Sequence, residues 1–313
     1  MKLRLGRYTV LLAIVAVLIF YCDALRREFK RSQNAEGIKV IGNFGNNPDS
    51  GKFSHPYKNS ESDENFISSL GFSEIILPFS GISQGNLVLI DKNHRTVSAK
   101  RENTINLIEY TNSFFSINNY SMRLTQEAAA CLGEMMFGYA NYTGNTNLVV
   151  FDTADGITKN PSSCPCPRYF SENNLATCVD IAVRNGDEIS SFNIAGAERW
   201  LFDNCSDYGF ILRYPDGKER KTGEKSCPWH FRYVGKVHAK LMYDMNLCLE
   251  EYLAYVKDYS EENPLFCQAG GSEYIIYSKE CDGKETVVKV PTNGIYEVSG
   301  DNSAGFIVTV KLN

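Results

Sequence analysis

A mixed α and β domain followed by a small all-β module is the fold class this sequence predicts. Three observations lead there. Apolar residues recur at helical spacing between 124 and 140, short β-rich runs alternate with helical stretches from 147 to 257, and past Pro264 only short apolar runs separated by turn dipeptides remain. At 313 residues, 43% of them hydrophobic, the chain can bury a sizeable core. Its formal net charge is -5, from 32 basic and 37 acidic residues, and no clustered basic surface marks a nucleic-acid binder.

The first element is a targeting segment. Lys2, Arg4 and Arg7 precede an uncharged run from Tyr8 to Cys22, and Asp23, Arg26, Arg27, Lys30 and Arg31 follow it. The run is short for a spanning helix, and no small-x-small cleavage site follows, so residues 1–31 are expected to be an uncleaved membrane anchor with its flanks. Basic residues on both sides specify its orientation only weakly. Residues 32–83 are expected to be a polar tether and lead-in, because Ser, Asn, Gly, Asp and Lys dominate until about Asn65 and cannot repay the entropy of ordering. His55 falls in this tether.

Residues 84–258 are expected to form the main domain, opened by a strand at 85–92 with His94 solvent-facing beyond it. Leu124, Ala128, Cys131, Leu132, Met135, Met136 and Tyr139 form one buried helical stripe, which is core and not a methionine metal site. Strands are expected at 147–151, 178–183, 209–214 and 230–234, and helices at 195–204, 236–246 and 249–257. Side chains alternate along a strand, so His230 and Arg232 share one face while Phe231 and Tyr233 occupy the other. His238 is expected to pack or hydrogen-bond on its helix. In the module of residues 264–313, strands are expected at 274–277, 286–290, 295–298 and 306–310, with Asp282-Gly283 and Asn293-Gly294 as hairpin turns.

Ten cysteines would mostly pair in an oxidising compartment. Cys267 and Cys281 flank the first strand of the β module and are expected to form a disulfide. Cys227 has two readings: a disulfide with Cys164, Cys166, Cys178 or Cys205, or, through the C-x-x-H spacing of Cys227-Pro228-Trp229-His230, a Cys, His, Asp metal set completed by Asp180.

The stretches Gly209-Phe210-Ile211-Leu212-Arg213-Tyr214-Pro215 and Pro228-Trp229-His230-Phe231-Arg232-Tyr233-Val234-Gly235 resemble the VanY-type D-alanyl-D-alanine carboxypeptidases. Leu247 to Leu253 is similar to the end of such a domain. Upstream, Ser171-Glu172-Asn173-Asn174-Leu175-Ala176-Thr177-Cys178-Val179-Asp180 is similar to the family's S-x-H-x-x-G-x-A-x-D. This resemblance covers roughly residues 84–258 and implies an α+β fold of the D,D-peptidase and hedgehog-like kind, a central antiparallel sheet with helices packed on it.

It also implies a zinc site. By position, Asp180 and His230 keep two of three metal-ligand places, Asn173 stands where the family has its first histidine ligand, and Cys227 stands at the catalytic glutamate. Ser171 and Trp229 fall on the substrate side. An amide is a weaker zinc donor than an imidazole, and a short thiol side chain cannot replace a glutamate in proton transfer. Where the family carries an arginine that grips a carboxylate, Val150-Phe151-Asp152-Thr153-Ala154-Asp155 has two acids and no arginine. The resemblance therefore implies a membrane-anchored, extracytoplasmic homologue with a degenerate cleft. Zinc would be absent or weakly bound, and the protein would act by binding or scaffolding toward peptidoglycan stem peptide or a cell-envelope protein. The alternative is a working metallocarboxypeptidase that releases terminal D-alanine through a remodelled Asp180, His230 and Cys227 site. A purely structural ectodomain is a third reading.

Overall fold

The computed structural model describes residues 71–94, 103–111, 113–154, 172–190 and 194–312. The expected anchor, the tether up to residue 70, Cys164, Cys166, Ser171 and Asp155 lie outside these residues. Among the described residues no helix is long and apolar enough to cross a membrane.

In chain order the first part comprises β1 (Phe72–Pro78), β2 (Thr104–Asn106), β3 (Phe115–Ile117), β4 (Arg123–Thr125), α1 (Gln126–Thr143), β5 (Leu148–Asp152), β6 (Cys178–Asn185) and β7 (Glu188–Ser190). Then come α2 (Arg199–Asn204), β8 (Phe210–Tyr214), α3 (Glu219–Thr222), β9 (Cys227–Tyr233), α4 (Lys236–Asp244) and α5 (Leu249–Val256). The last part is all β: β10 (Leu265–Ala269), β11 (Ser272–Glu280), β12 (Glu285–Pro291), β13 (Ile295–Gly300) and β14 (Gly305–Lys311).

The central sheet runs β3-β5-β6-β9-β8, with β7 added on β6, and every pair in it is antiparallel except β3 with β5. The α+β expectation holds. Helix α1 starts where Thr125 accepts a hydrogen bond from the Ala128 amide and stops at Gly144 in the left-handed conformation. Its stripe of Ala128, Leu132, Met135, Met136 and Tyr139 packs with Leu148, Val150, Val179, Ile181, Phe231 and Tyr233 in one core. Phe231 and Tyr233 therefore point at α1, which leaves His230 and Arg232 on the opposite face, as strand alternation requires. The helix expected at 195–204 is shorter, because only Arg199–Asn204 is α-helical before a 3-10 turn at Cys205–Tyr208. Gly209 ends that turn at φ 81, and a Cβ there would stand 2.6 Å from the Tyr233 ring.

Helices α4 and α5 lie between the two sheets. Leu241, Leu249, Tyr252 and Leu253 share a second core with Leu265, Ile276 and Ile307 of the C-terminal sheet, whose order is β10-β11-β14-β13. Strand β12 leaves that sheet and pairs with β1 over Phe72↔Pro291 to Pro78↔Glu285. The lead-in that follows the expected tether thus carries a strand. Phe72, Ile75 and Leu77 cover the cluster of Val288, Val290 and Phe306, a partner that the local run of apolar residues does not name.

Four further expectations are corrected. The segment at 85–92 joins no ladder although Leu87, Val88, Leu89 and Ile90 are buried. Its backbone is satisfied individually: the Leu87 amide donates to Ser299 Oγ and the Leu89 amide to the Asp301 carbonyl, while the Asn86 and Val88 carbonyls accept from Arg232 Nη2. Cys267 and Cys281 are both free thiols and form no disulfide. Cys267 sits opposite Tyr274, whereas Cys281 follows the far end of β11. Extended chain rising about 3.3 Å per residue from 274 to 281 separates them by on the order of 20 Å, far beyond bridging reach. Cys178 and Cys205 are also free thiols, so neither is disulfide-bonded to Cys227. His94, expected to be solvent-facing, is partly buried and its Nδ1 lies 2.8 Å from Asp91 Oδ1.

Candidate functional site

Two strands set the site. Antiparallel pairing of β6 with β9 places Asp180 opposite His230 and Cys178 opposite Arg232. Between Leu212↔Phe231 and Tyr214↔Cys227 the β8–β9 ladder is irregular: Arg213 on β8 faces Pro228, Trp229 and His230 on β9. Such a bulge tolerates Pro228, which cannot donate to a ladder, and re-aims the neighbouring side chains. Just before β6, a 3-10 turn at Glu172–Leu175 brings Glu172 over this face, where it is only 3% exposed.

The result is a buried chain of charges. Asp180 Oδ1 lies 2.6 Å from His230 Nδ1, and His230 Nε2 lies 3.7 Å from Glu172 Oε2. Glu172 Oε1 accepts from Arg213 Nε at 2.9 Å and lies 3.0 Å from Arg232 Nη1. At the other end, Arg213 donates two hydrogen bonds to Glu250 of α5, at 3.0 and 2.8 Å, a bidentate pairing. Tyr214 stacks on the His230 ring with centroids 5.5 Å apart, and the Arg213 guanidinium lies 4.7 Å from the Tyr214 ring centroid.

Burial alone would raise the Glu172 carboxyl, but the Arg213 and Arg232 guanidiniums, helped by His230, outweigh it and hold that carboxyl well below the usual range. Burial would likewise lower the His230 imidazole. Asp180, through charge and hydrogen bond, with Cys178 and Glu172 adding to it, holds His230 well above its ordinary value instead. Three carboxylates, two arginines and a protonated His230 balance to neutrality, which buried ions require.

The descriptive model of the VanY family, "D-alanyl-D-alanine carboxypeptidase", matches residues 124–236. A D-alanyl-D-alanine carboxypeptidase of Enterococcus faecium is 32% identical over 239 residues, 73% of this chain and 76% of that protein. The chain belongs to the VanY-type carboxypeptidase family. An Enterococcus faecalis D-alanyl-D-alanine carboxypeptidase is 48% identical over 85 residues, 26% of this chain and 30% of that one. Among solved structures, the vancomycin-resistance D,D-dipeptidase VanXYg in complex with a D-Ala-D-Ala phosphinate analog is 27% identical with a TM-score of 0.66, over 77% of this chain and 99% of that one.

The zinc that the VanY resemblance implies would fall on Asp180, His230 and Asn173. It does not fit at the family's place. Tetrahedral donors each about 2.0 Å from zinc stand about 3.3 Å apart. Here Asp180 and His230 are hydrogen-bonded to each other at 2.6 Å, and the third place offers the Asn173 amide, whose nitrogen lies 3.5 Å from Asp152 Oδ2. Asp152 belongs to the acid-bearing segment 150–155, so an acid of that segment engages Asn173. Cys227 is buried at the start of β9 opposite Tyr214, outside the group of ligand-type atoms around His230. The sulfur that reaches His230 belongs to Cys178, one strand away. Trp229 is half-buried on the bulge, and Ser171 lies outside the described residues.

The structure brings Asp180 and His230 together, and sequence reasoning missed Glu172, Cys178, Arg213, Arg232 and Glu250. One signal was available. A lone arginine inside an apolar strand, as in Phe210-Ile211-Leu212-Arg213-Tyr214, must find a buried counter-charge.

Proposed function

We propose that this protein is a catalytically degenerate VanY-type homologue, held outside the membrane by an anchor in residues 1–31, that acts by binding or scaffolding at peptidoglycan stem peptide and does not release terminal D-alanine. The observation that carries the reading is the direct 2.6 Å bond between Asp180 and His230, the two surviving ligand positions. Cys227 at the general-base position and the lack of an arginine in residues 150–155 support it. Relatives called D-alanyl-D-alanine carboxypeptidases point to the stem peptide as the ligand class. The alternative Asp180, His230 and Cys227 metal enzyme is disfavoured because Cys227 is not among the ligand-type atoms grouped with His230.

Loss of general acid–base assistance alone lowers rate by about 10²- to 10⁴-fold. The purified chain, supplied with zinc and a D-Ala-D-Ala-ended pentapeptide, is expected to release no D-alanine above the buffer control. Asn173→His with Cys227→Glu should remain inactive, and measurable turnover should need an arginine restored within residues 150–155 as well. Release of D-alanine by the unmodified chain at rates beyond a few turnovers per hour would overturn the proposal.

A further inference from the structure

The family's zinc position is closed on one side of His230, but the other ring nitrogen faces a different set of donors. His230 Nε2 is buried and makes no hydrogen bond, although the residue is only 4% exposed. Glu172 Oε2 stands 3.7 Å from it, Cys178 Sγ stands 3.8 Å from that same oxygen, and the three ligand atoms all lie within 4.8 Å of one another. A tetrahedral ion with one sulfur at about 2.3 Å and nitrogen and oxygen at about 2.0 Å needs about 3.3 Å between nitrogen and oxygen and about 3.5 Å from sulfur to either. The two separations from Glu172 Oε2 need to contract by only about 0.3 to 0.4 Å, and Cys178 Sγ already lies within 4.8 Å of His230 Nε2. We infer that Glu172, Cys178 and His230 form a divalent-cation site, displaced from the family's position by the width of one imidazole ring.

Each donor is already oriented. Asp180 accepts from His230 Nδ1, which fixes the ring and leaves Nε2 as the metal-facing nitrogen, the carboxylate–histidine–metal arrangement of many zinc proteins. Arg213 and Arg232 hold the other oxygen of Glu172, so Oε2 is the one turned inward. Cys178 lies on β6, where its carbonyl accepts from Thr153 Oγ1 at 2.7 Å. A thiolate, an imidazole and a carboxylate together suit zinc better than magnesium or calcium.

Charge also balances. When the ion enters, the Cys178 thiol and the His230 Nε2 each give up a proton to solvent. The Cys178 thiolate with Glu172, Asp180 and Glu250 then faces Arg213, Arg232 and a divalent ion, and the cluster stays neutral. Three protein donors leave a fourth position to solvent. Because the ligands come from the 3-10 turn, β6 and β9, the ion would clamp the turn carrying Asn173 onto the sheet.

The test uses metal-stripped full-length protein titrated with Co²⁺. One equivalent should bind with a near-ultraviolet thiolate-to-cobalt charge-transfer band, and Zn²⁺ should displace it. Cys178→Ser, nearly equal in size, should abolish the band and weaken binding at least 10-fold, in line with losses seen on perturbing metal shells. Asn173→Ala and Cys227→Ser should leave band and affinity unchanged. Absence of binding, binding without the thiolate band, or loss of the band in Cys227→Ser instead would overturn the inference. Should Cys178→Ser fail to fold, cadmium NMR of the wild-type protein reads sulfur coordination directly, and a resonance without sulfur character has the same force. This site and the proposed function share the Asp180–His230 bond but fail separately. D-alanine release would end the latter with the charge-transfer band intact, and a missing band would end the former with the chain still inactive.

Discussion

His230 and His238 stand on consecutive elements, 4% and 3% exposed, in opposite electrostatic settings. His230 is flanked by Asp180 and Glu172, whose charges overcome burial and hold it well above its ordinary value. His238 on α4 meets hydroxyls only: its Nδ1 lies 2.6 Å from Tyr252 Oη and its Nε2 2.9 Å from Thr309 Oγ1. Burial, unopposed, pushes it down to about 3. The first histidine belongs to a face built to hold charge. The second is a neutral pin joining α4, α5 and β14, where the main domain meets the C-terminal sheet. The same residue type thus marks a site in one place and a joint in the other, and its partners decide which.

Their pH signatures have opposite signs. His238 has a depressed value in the folded state, so the stability tied to it is complete above about 6.5 and is lost as pH falls toward 3. His230 is raised, so its contribution is present at low pH and is lost as pH rises through its folded value. Glu172 is depressed and contributes above about 4.5, fading as pH falls.

The largest test removes the centre of the charged face. Arg213→Met leaves Glu172 and Glu250 short of a buried cation and should cost about 3–5 kcal/mol, read by urea unfolding at neutral pH. A loss below about 1 kcal/mol would mean that the network is not a buried unit. Next, His238→Gln keeps a donor and an acceptor but cannot titrate. Between pH 7 and 4 the wild type should lose about 3 kcal/mol that this variant does not. Parallel pH slopes for the two proteins would show that His238 is not buried in neutral form. The smallest effect is the reference: Lys236→Ala removes an exposed pair with Glu134, 3.0 Å apart and about half exposed on both sides, and should change stability by less than about 0.5 kcal/mol.

Much of the fold was legible because it rests on short-range periodicity. The stripe of α1, the split of His230 and Arg232 from Phe231 and Tyr233, and the four strands after residue 270 all follow from spacing along the chain. The β1–β12 pairing was not legible, since it joins residues more than 200 positions apart and an apolar run does not name its partner strand. The segment with buried Leu87 to Ile90 read as a strand because its apolar run is genuine; that its carbonyls would turn to a guanidinium is not written locally. The Cys267–Cys281 pairing failed for a similar reason, as flanking a strand in sequence means sitting at its two ends in space.

At the site, the sequence by itself determined which residues stand at the positions the VanY resemblance marks: Asp180 and His230 match its motifs, and Asn173 and Cys227 depart from them. Only the tertiary structure decided what the retained residues do. The register of β6 on β9 closed Asp180 onto His230, and a turn one residue before Asn173 delivered Glu172 to the ring's other side, next to Cys178. Spacing along a chain fixes which face a side chain occupies, whereas the partner it meets depends on register between strands and on the need for buried charges to cancel.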